Sequence, residues 1–446
     1  MLYKNEELVH HETIFELEST QLKFGRNSLN ELGWELSKYN SAKILLVVDP
    51  VLHDFDVTQK ILDQIKSSGA EVITFDKISV EPTLKSFEVA SQFALENSFD
   101  LIVAAGGGST IDTAKVANLI KVCGGAVMDY VNAPIGKGKK PTSQLLPLIA
   151  IPTTSGSGSE ATTVAVLDIP EMKLKTGISH HFLRPTLALV DPELSKTTPS
   201  GVTASAGLDV ISHAIESFIS KPFYEREKPS SPDERPPYQG SNPVSDIWSM
   251  KAIDFGGKYL SRAVLNGEDV EARGNMMLSA TLAGIGFGAA GVHIPHACAY
   301  PIAGLKHSYQ ASGYKKCFIP HGFSVIVTAP AVFRFTYDIE PEKHIKAAEL
   351  LKGSVITNPG YESLPYELIK LMKQVGAPSG IKELGYAKED IPEIIKGANK
   401  QQRLLLVAPK KVSENDLNKI LCWNKQKNLI QVLSCICFKQ VLLRQN

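Results

Sequence analysis

A chain of 446 residues is too long for one small hydrophobic core, so two domains are expected. Its 43% hydrophobic and 21% charged residues are those of an ordinary globular protein. Lys plus Arg equals Asp plus Glu at 47 each, which argues against nucleic-acid partners and against an anionic membrane surface.

The stretch Met1 to Glu12 carries several acidic groups and no arginine, so it reads neither as a secretory signal nor as a transit peptide. The expectation is a cytoplasmic protein, or one whose targeting segment lies upstream of this chain. Six cysteines, at 123, 298, 317, 422, 435 and 437, lack zinc-ribbon or secreted-framework spacing and fit a reducing compartment. No apolar run reaches the length a bilayer demands, so no membrane partner is expected.

Residues 12–25 alternate enough to predict one or two edge strands. Lys43 to Val48 is a β-branched apolar run ending at Asp49 and Pro50, a buried strand and a turn. Val57 to Lys66 has helical spacing and stops at Ser67, Ser68 and Gly69. Glu71 to Phe75 predicts a second strand and Pro82 to Asn97 a second helix. Asp100 to Ala105 is a third strand running into Gly106, Gly107, Gly108 and Ser109, with a helix from Thr110 to Val122. Leu146 to Ile151 and Leu187 to Val190 add strands, and Val164 to Leu167 with Lys173 to Ile178 predict a hairpin between them.

Strands alternating with helices over short loops argue for a parallel sheet with helices on both faces. Beyond Thr197 to Ser200 the β-branched runs fade and helical periodicity takes over, as in Ser249 to Ala263 and Val270 to Leu282. An α/β half over 1–200 and a helical half over 201–420 are therefore expected. The polar, Pro-rich stretch from Lys221 to Asn242 reads as an ordered insertion.

The glycine turn at 106–108 ends a strand and opens a helix, where backbone N–H groups and the helix dipole can meet a pyrophosphate. It is not the G-x-G-x-x-G fingerprint. A second polar loop, Pro152 to Glu160, also leaves the carboxyl end of a strand, and the two would bracket a phosphate-bearing cofactor. Asp49 could accept hydrogen bonds from an adenosine ribose and so favour NAD over NADP; equally, it could be a turn residue before Pro50.

Asp209 and His213, at i and i+4, share a face if their segment is helical. With His296 and His321, each in apolar, Gly-rich surroundings, they would offer one carboxylate oxygen and three imidazole nitrogens to a divalent transition metal. The pair alone also fits a solvated helix face, and an isolated apolar-flanked histidine also fits a satisfied core position. His293 is the lesser candidate in its stretch. Arg226, Lys228 and Arg235 could meet a substrate carboxylate or simply be solvated.

Gly106 to Lys115, Pro152 to Glu160, Gly207 to Ser217 and Ile319 to Gly322 together resemble the motifs of the iron-containing alcohol dehydrogenases, over about residues 14–420. Gly136 to Lys139, Pro237 to Trp248 and Ala283 to Gly288 are similar to the hydroxyacid-oxoacid transhydrogenase branch of that family. The resemblance implies a dehydroquinate synthase-like fold, α/β plus all-α, in which a Rossmann-like dinucleotide-binding domain precedes a helical metal-binding domain. It implies metal ligation, by iron or zinc, at Asp209, His213, His296 and His321. It places the pyrophosphate of a tightly bound NAD on Gly107, Gly108 and Ser109, with Thr153, Thr154 and Ser157 beside it. Asp49 falls at the ribose and Lys175 near the cofactor.

Many members carry a second histidine four residues after the third ligand, where this chain has Tyr300, so the expectation is a proton relay through solvent or Tyr300. The implied substrates are a small hydroxy acid and an oxo acid: 4-hydroxybutyrate would become succinate semialdehyde while 2-oxoglutarate becomes 2-hydroxyglutarate. A conventional NAD-dependent alcohol dehydrogenase is the alternative. Residues 421–446, with Trp423 and three of the six cysteines, do not resemble the family's ending. A catalytically impaired isoform acting as an interaction partner is thus the alternative of another class. Mitochondrial location is implied by the resemblance, and a homo-oligomer is left open.

Overall fold

The structure is a computed structural model and describes residues 11–422. Its first half comprises β1 (Gln21–Phe24), α1 (Leu32–Ser37), β2 (Lys43–Val48), α2 (Val57–Ser67), β3 (Glu71–Phe75), α3 (Leu84–Glu96), β4 (Leu101–Gly106), α4 (Gly108–Cys123), the single turn α5 (Val127–Tyr130), β5 (Leu148–Pro152), β6 (Val164–Ile169), β7 (Leu174–Ser179) and β8 (Leu187–Val190). Six strands make one parallel sheet in the order β1-β8-β5-β4-β2-β3, and β6 pairs antiparallel with β7 as the predicted hairpin. β4 and β5 are buried at every residue, which is why they read as unbroken apolar runs. Alternate residues serve opposite faces: Ile44, Leu46 and Val103 pack with Leu32, Ile61 and Ile65, while Leu45, Val47 and Ile102 pack with Ala90, Ala94 and Ile111.

Sheet order and chain order diverge at one point. The chain passes from β2 to β3 on one side, then crosses back to lay β4 on the other side of β2 and continues outward to β5 and β8. Winding reverses between β2 and β4, and open α/β sheets bind ligands outside the carboxyl ends of the strands at such a reversal. Val48 pairs with Ala105 and Gly106 with Pro152. That register sets Asp49, the glycine turn and Thr153 along one edge.

From Ser200 to Leu421 the regular elements are helical: α6 (Ser200–Ile219), α7 (Pro243–Leu265), α8 (Val270–Ala290), α9 (Ile294–Leu305), α10 (His321–Ile326), α11 (Ala329–Thr336), α12 (Pro341–Lys352), α13 (Ser363–Gln374), α14 (Ile391–Asn399), α15 (Gln402–Leu405) and α16 (Glu414–Leu421), with short 3-10 turns between some of them. α6 is buried without a break from Gly207 to Ile219 and is packed by α7, α8 and α10. A helix apolar on most sides belongs at the centre of such a bundle. Asn242 starts α7 by accepting from the N–H groups of Val244 and Ser245, with Pro243 at the first helical position.

The strand expected within 12–25 shrinks to β1. Upstream of it one backbone bridge remains, His11 with Glu227, and side chains serve other backbone groups. The Glu12 carboxylate accepts from the N–H groups of Thr13 and Ile14, both at 3.0 Å, and the Gln239 amide bonds both N–H and C=O of Glu16. The unusual ending expected after residue 420 falls outside the described residues, apart from Leu421 and Cys422.

Candidate metal and cofactor cleft

α6 presents Asp209, His213 and Glu216 on one face, at intervals of four and three residues. α9 brings His296 in its first turn, and α10 begins at His321. Gly322 lets α10 come this close, because a Cβ there would collide with the Ser205 carbonyl of α6. Asp209, His296 and His321 place ligand atoms within 4.8 Å of one another. His213 stands just outside that group, its Nε2 3.8 Å from Asp209 Oδ1, with its ring stacked between His296 at 4.6 Å and Phe287 at 4.1 Å. His293 is not in the group either; its backbone N–H donates to Glu216 Oε2 at 2.5 Å.

Burial acts to raise the Asp209 carboxyl, but the imidazoles of His213, His321 and His296 outweigh it and hold it well below the usual carboxylate range. Burial depresses His213 to about 3. His296 goes the other way: Glu216 and Asp209 overcome burial and lift it to about 9. Asp209 Oδ1 and His296 Nε2 are buried without hydrogen-bond partners, and Nε2 of His213 and of His321 approach that oxygen at 3.8 and 4.0 Å. Converging buried donors and acceptors of this kind fit a divalent cation, and an oxygen-plus-imidazole set suits iron or zinc alike.

At the sheet edge, Gly107 caps α4 with no side-chain bond to its first N–H groups; Thr110 N–H donates to Gly107 O, which leaves those of Gly108 and Ser109 for a pyrophosphate. A Cβ on Gly108 would lie 2.7 Å from Cβ of Ser157, so the two polar loops touch only because Gly108 has none. A Cβ on Gly107 would come within 3.3 Å of the Thr154 hydroxyl. Thr153 donates its N–H to Gly106 O at 3.0 Å. Asp49 Oδ1 accepts from Val51 N–H at 3.0 Å, so it does serve its own turn while standing beside β4 at the reversal point. This cradle fits a dinucleotide.

Two residues that sequence reasoning passed over tie the site together. Glu216 is fully buried and its Oε1 lies 2.6 Å from His296 Nδ1. Glu81, on the loop before α3, adopts a left-handed φ of 56°. Its N–H donates to Ser109 Oγ at 3.2 Å, and its carboxylate pairs with Lys175 on β7. Burial raises the Glu81 carboxyl, but Lys175 and His321 outweigh it and hold it low. One acid therefore touches the cofactor turn and the lysine and lies within electrostatic reach of His321. A non-glycine residue at positive φ is the signal that could have marked it, and that is invisible without coordinates.

Tyr300, on α9, is buried and faces the His321 ring at 5.9 Å; burial pushes its phenol above the ordinary value. Arg226 and Arg235 do not reach the cleft. Both pair with Glu12, at 3.4 and 3.1 Å, and Arg235 also with Glu16, pinning the N-terminal segment to the insertion. Lys228 is exposed.

Residues 19–192 match the family model for iron-containing alcohol dehydrogenase, and residues 238–424 match that for the C-terminal part of the same family. The chain is 43% identical over 411 residues to the mitochondrial hydroxyacid-oxoacid transhydrogenase of Bos taurus, covering 91% of this chain and 88% of that protein. It is 42% identical over 410 residues to the human protein of the same name, covering 90% and 88%. Among solved structures, 1,3-propanediol oxidoreductase superposes with a TM-score of 0.78 at 27% identity, covering 92% of this chain and 99% of that one. An archaeal halo-thermophilic Red Sea brine pool alcohol dehydrogenase superposes with a TM-score of 0.79 at 26% identity, covering 93% and 99%.

Proposed function

The chain belongs to the iron-containing alcohol dehydrogenase family, and on that premise we propose that it is a hydroxyacid-oxoacid transhydrogenase. It oxidises 4-hydroxybutyrate to succinate semialdehyde and reduces 2-oxoglutarate to 2-hydroxyglutarate, through NAD that stays bound between the two half-reactions. Likeness over nine-tenths of the chain to proteins bearing that name carries the reading. The same names support a mitochondrial location.

In this scheme Asp209, His213, His296 and His321 hold the metal, and Gly107, Gly108, Ser109, Thr153, Thr154 and Ser157 hold the cofactor phosphates and nicotinamide ribose. Asp49 meets the adenosine ribose. When bound, NAD supplies the hydride carrier and the divalent metal a Lewis acid for the substrate oxygen. Glu216 accepts the Nδ1 proton of His296, which leaves Nε2 as the nitrogen that would bind the metal in exchange for its own proton. Lys175, neutralised by Glu81, lies where it can approach the cofactor without an unpaired buried charge. Tyr300 keeps its proton near neutral pH, since its phenol is raised; it serves as a hydrogen-bond donor and as a wall against water, not as a base.

The test is to incubate metal-loaded protein with 4-hydroxybutyrate and 2-oxoglutarate and no added nucleotide. Formation of 2-hydroxyglutarate is expected. Activity that appears only with added NAD would favour the second reading, a conventional alcohol dehydrogenase, which the likeness to 1,3-propanediol oxidoreductase supports.

A further inference from the structure

Arg403 stands half-buried on α15, and its guanidinium lacks the ion-pair partner that a cation withdrawn from water ordinarily has. Among the described residues no carboxylate pairs with it, and its Nη1 is buried with no hydrogen-bond partner. Its guanidinium carbon lies 4.4 Å from the centre of the Tyr238 ring. Tyr238 belongs to one buried apolar cluster with Phe287, Tyr300 and Leu404. That cluster abuts the metal-type group, because Phe287 stacks on His213 and Tyr300 faces His321. Tyr300 is within electrostatic reach of Arg403 and of Asp209 alike. Arg403 also lines a cavity no larger than a water molecule with Asn132, Thr176, Gly177, Lys400 and Gln401, so polar groups stand beside it. Of the other cations, Lys175 is engaged by Glu81 and Arg226 and Arg235 by Glu12, while Lys400, beside the same cavity, is exposed to solvent.

We propose that Arg403 takes the carboxylate of the hydroxy-acid and oxo-acid substrates, while their reacting oxygen lies at the Asp209–His296–His321 group and their methylenes run along Tyr238, Tyr300 and Phe287. The assignment rests on the transhydrogenase reading above for its substrate class. A carboxylate offers two coplanar oxygens to a guanidinium fork, and the pair is strengthened where water is excluded. Selectivity follows from the same fact. An alcohol of equal length without the charge leaves the guanidinium unpaired, and a site with an unpaired buried polar group discriminates strongly against such an analogue.

The experiment compares 4-hydroxybutyrate with 1,4-butanediol, with NAD supplied, in wild type, Arg403→Met and Arg403→Lys; binding of butyrate is read separately by thermal shift. Arg403→Met keeps the apolar stem against Tyr238. It is expected to lower kcat/KM for 4-hydroxybutyrate roughly 10- to 100-fold, with 1,4-butanediol changed little, and to abolish the butyrate shift. Arg403→Lys should recover part of both. Equal loss on both substrates would make Arg403 a structural residue and overturn the proposal; so would no loss on either, or a wild type blind to butyrate. Because NAD is supplied, the acid-to-diol ratio stands apart from whether the cofactor exchanges, so failure of the transhydrogenase reading and failure of the arginine assignment give different results.

Discussion

Glu216 Oε1 and His296 Nδ1 lie 2.6 Å apart in the interior, so one buried carboxylate fixes which nitrogen of a candidate ligand faces the metal. Outer carboxylates of this kind raise the basicity of the imidazole and lock its ring. Glu216→Gln keeps the shape and removes the charge. It should weaken metal binding about 10- to 100-fold, read by competition against a chelator. Unchanged affinity would mean that His296 is not a ligand.

The contact between Gly108 and Ser157 predicts a paired result. Gly108→Ala would force the two loops apart by overpacking, at a cost of about 1–3 kcal/mol, which corresponds to a loss of NAD affinity of about 5- to 150-fold. Replacing Ser157 by Gly in the same chain should restore part of that loss, measured by nucleotide titration with the folded state checked by circular dichroism.

Glu81 and Lys175 form an ion pair in which the lysine side chain is only 3% exposed. Glu81→Gln leaves the ammonium without its partner and should cost about 3 kcal/mol in urea denaturation. The double variant with Lys175→Met should be more stable than Glu81→Gln alone, since neither partner is then stranded. Additive losses would remove the coupling.

His344 lies away from the candidate site and offers a pH test. Burial depresses it to about 4, and it is held by Thr336 Oγ1 at 2.9 Å and the Glu340 carbonyl at 2.7 Å. Its unfolded value is near 6.5, so between the two values the unfolded chain binds more protons. Stability from this group is therefore complete above pH 6.5 and lost as pH falls toward 4. His344→Gln should reduce the drop in unfolding free energy between pH 7 and pH 5 by about 2 kcal/mol. An unchanged pH slope would show that His344 does not titrate in this range.

The α/β half and the helical half were legible because their signals are local. Leu101 to Ala105 is a buried strand by its own composition, and Asp209 with His213 share a face by helical spacing alone. Residues 12–20 misled, because side chains such as Gln239 can satisfy a backbone that alternates like a strand. Only the tertiary structure decided that winding reverses between β2 and β4, that His296 and His321 come within reach of Asp209 while His213 stands slightly apart, and that Glu81 pairs with Lys175 beside Ser109. It also reversed the arginines: Arg226 and Arg235 pin a terminus, and Arg403, unmarked by any motif, is the one left unpaired among these three. The physical reason is that spacing along a chain encodes periodicity and turns. Whether a charge is solvated, paired or stranded depends on which distant segment packs against it.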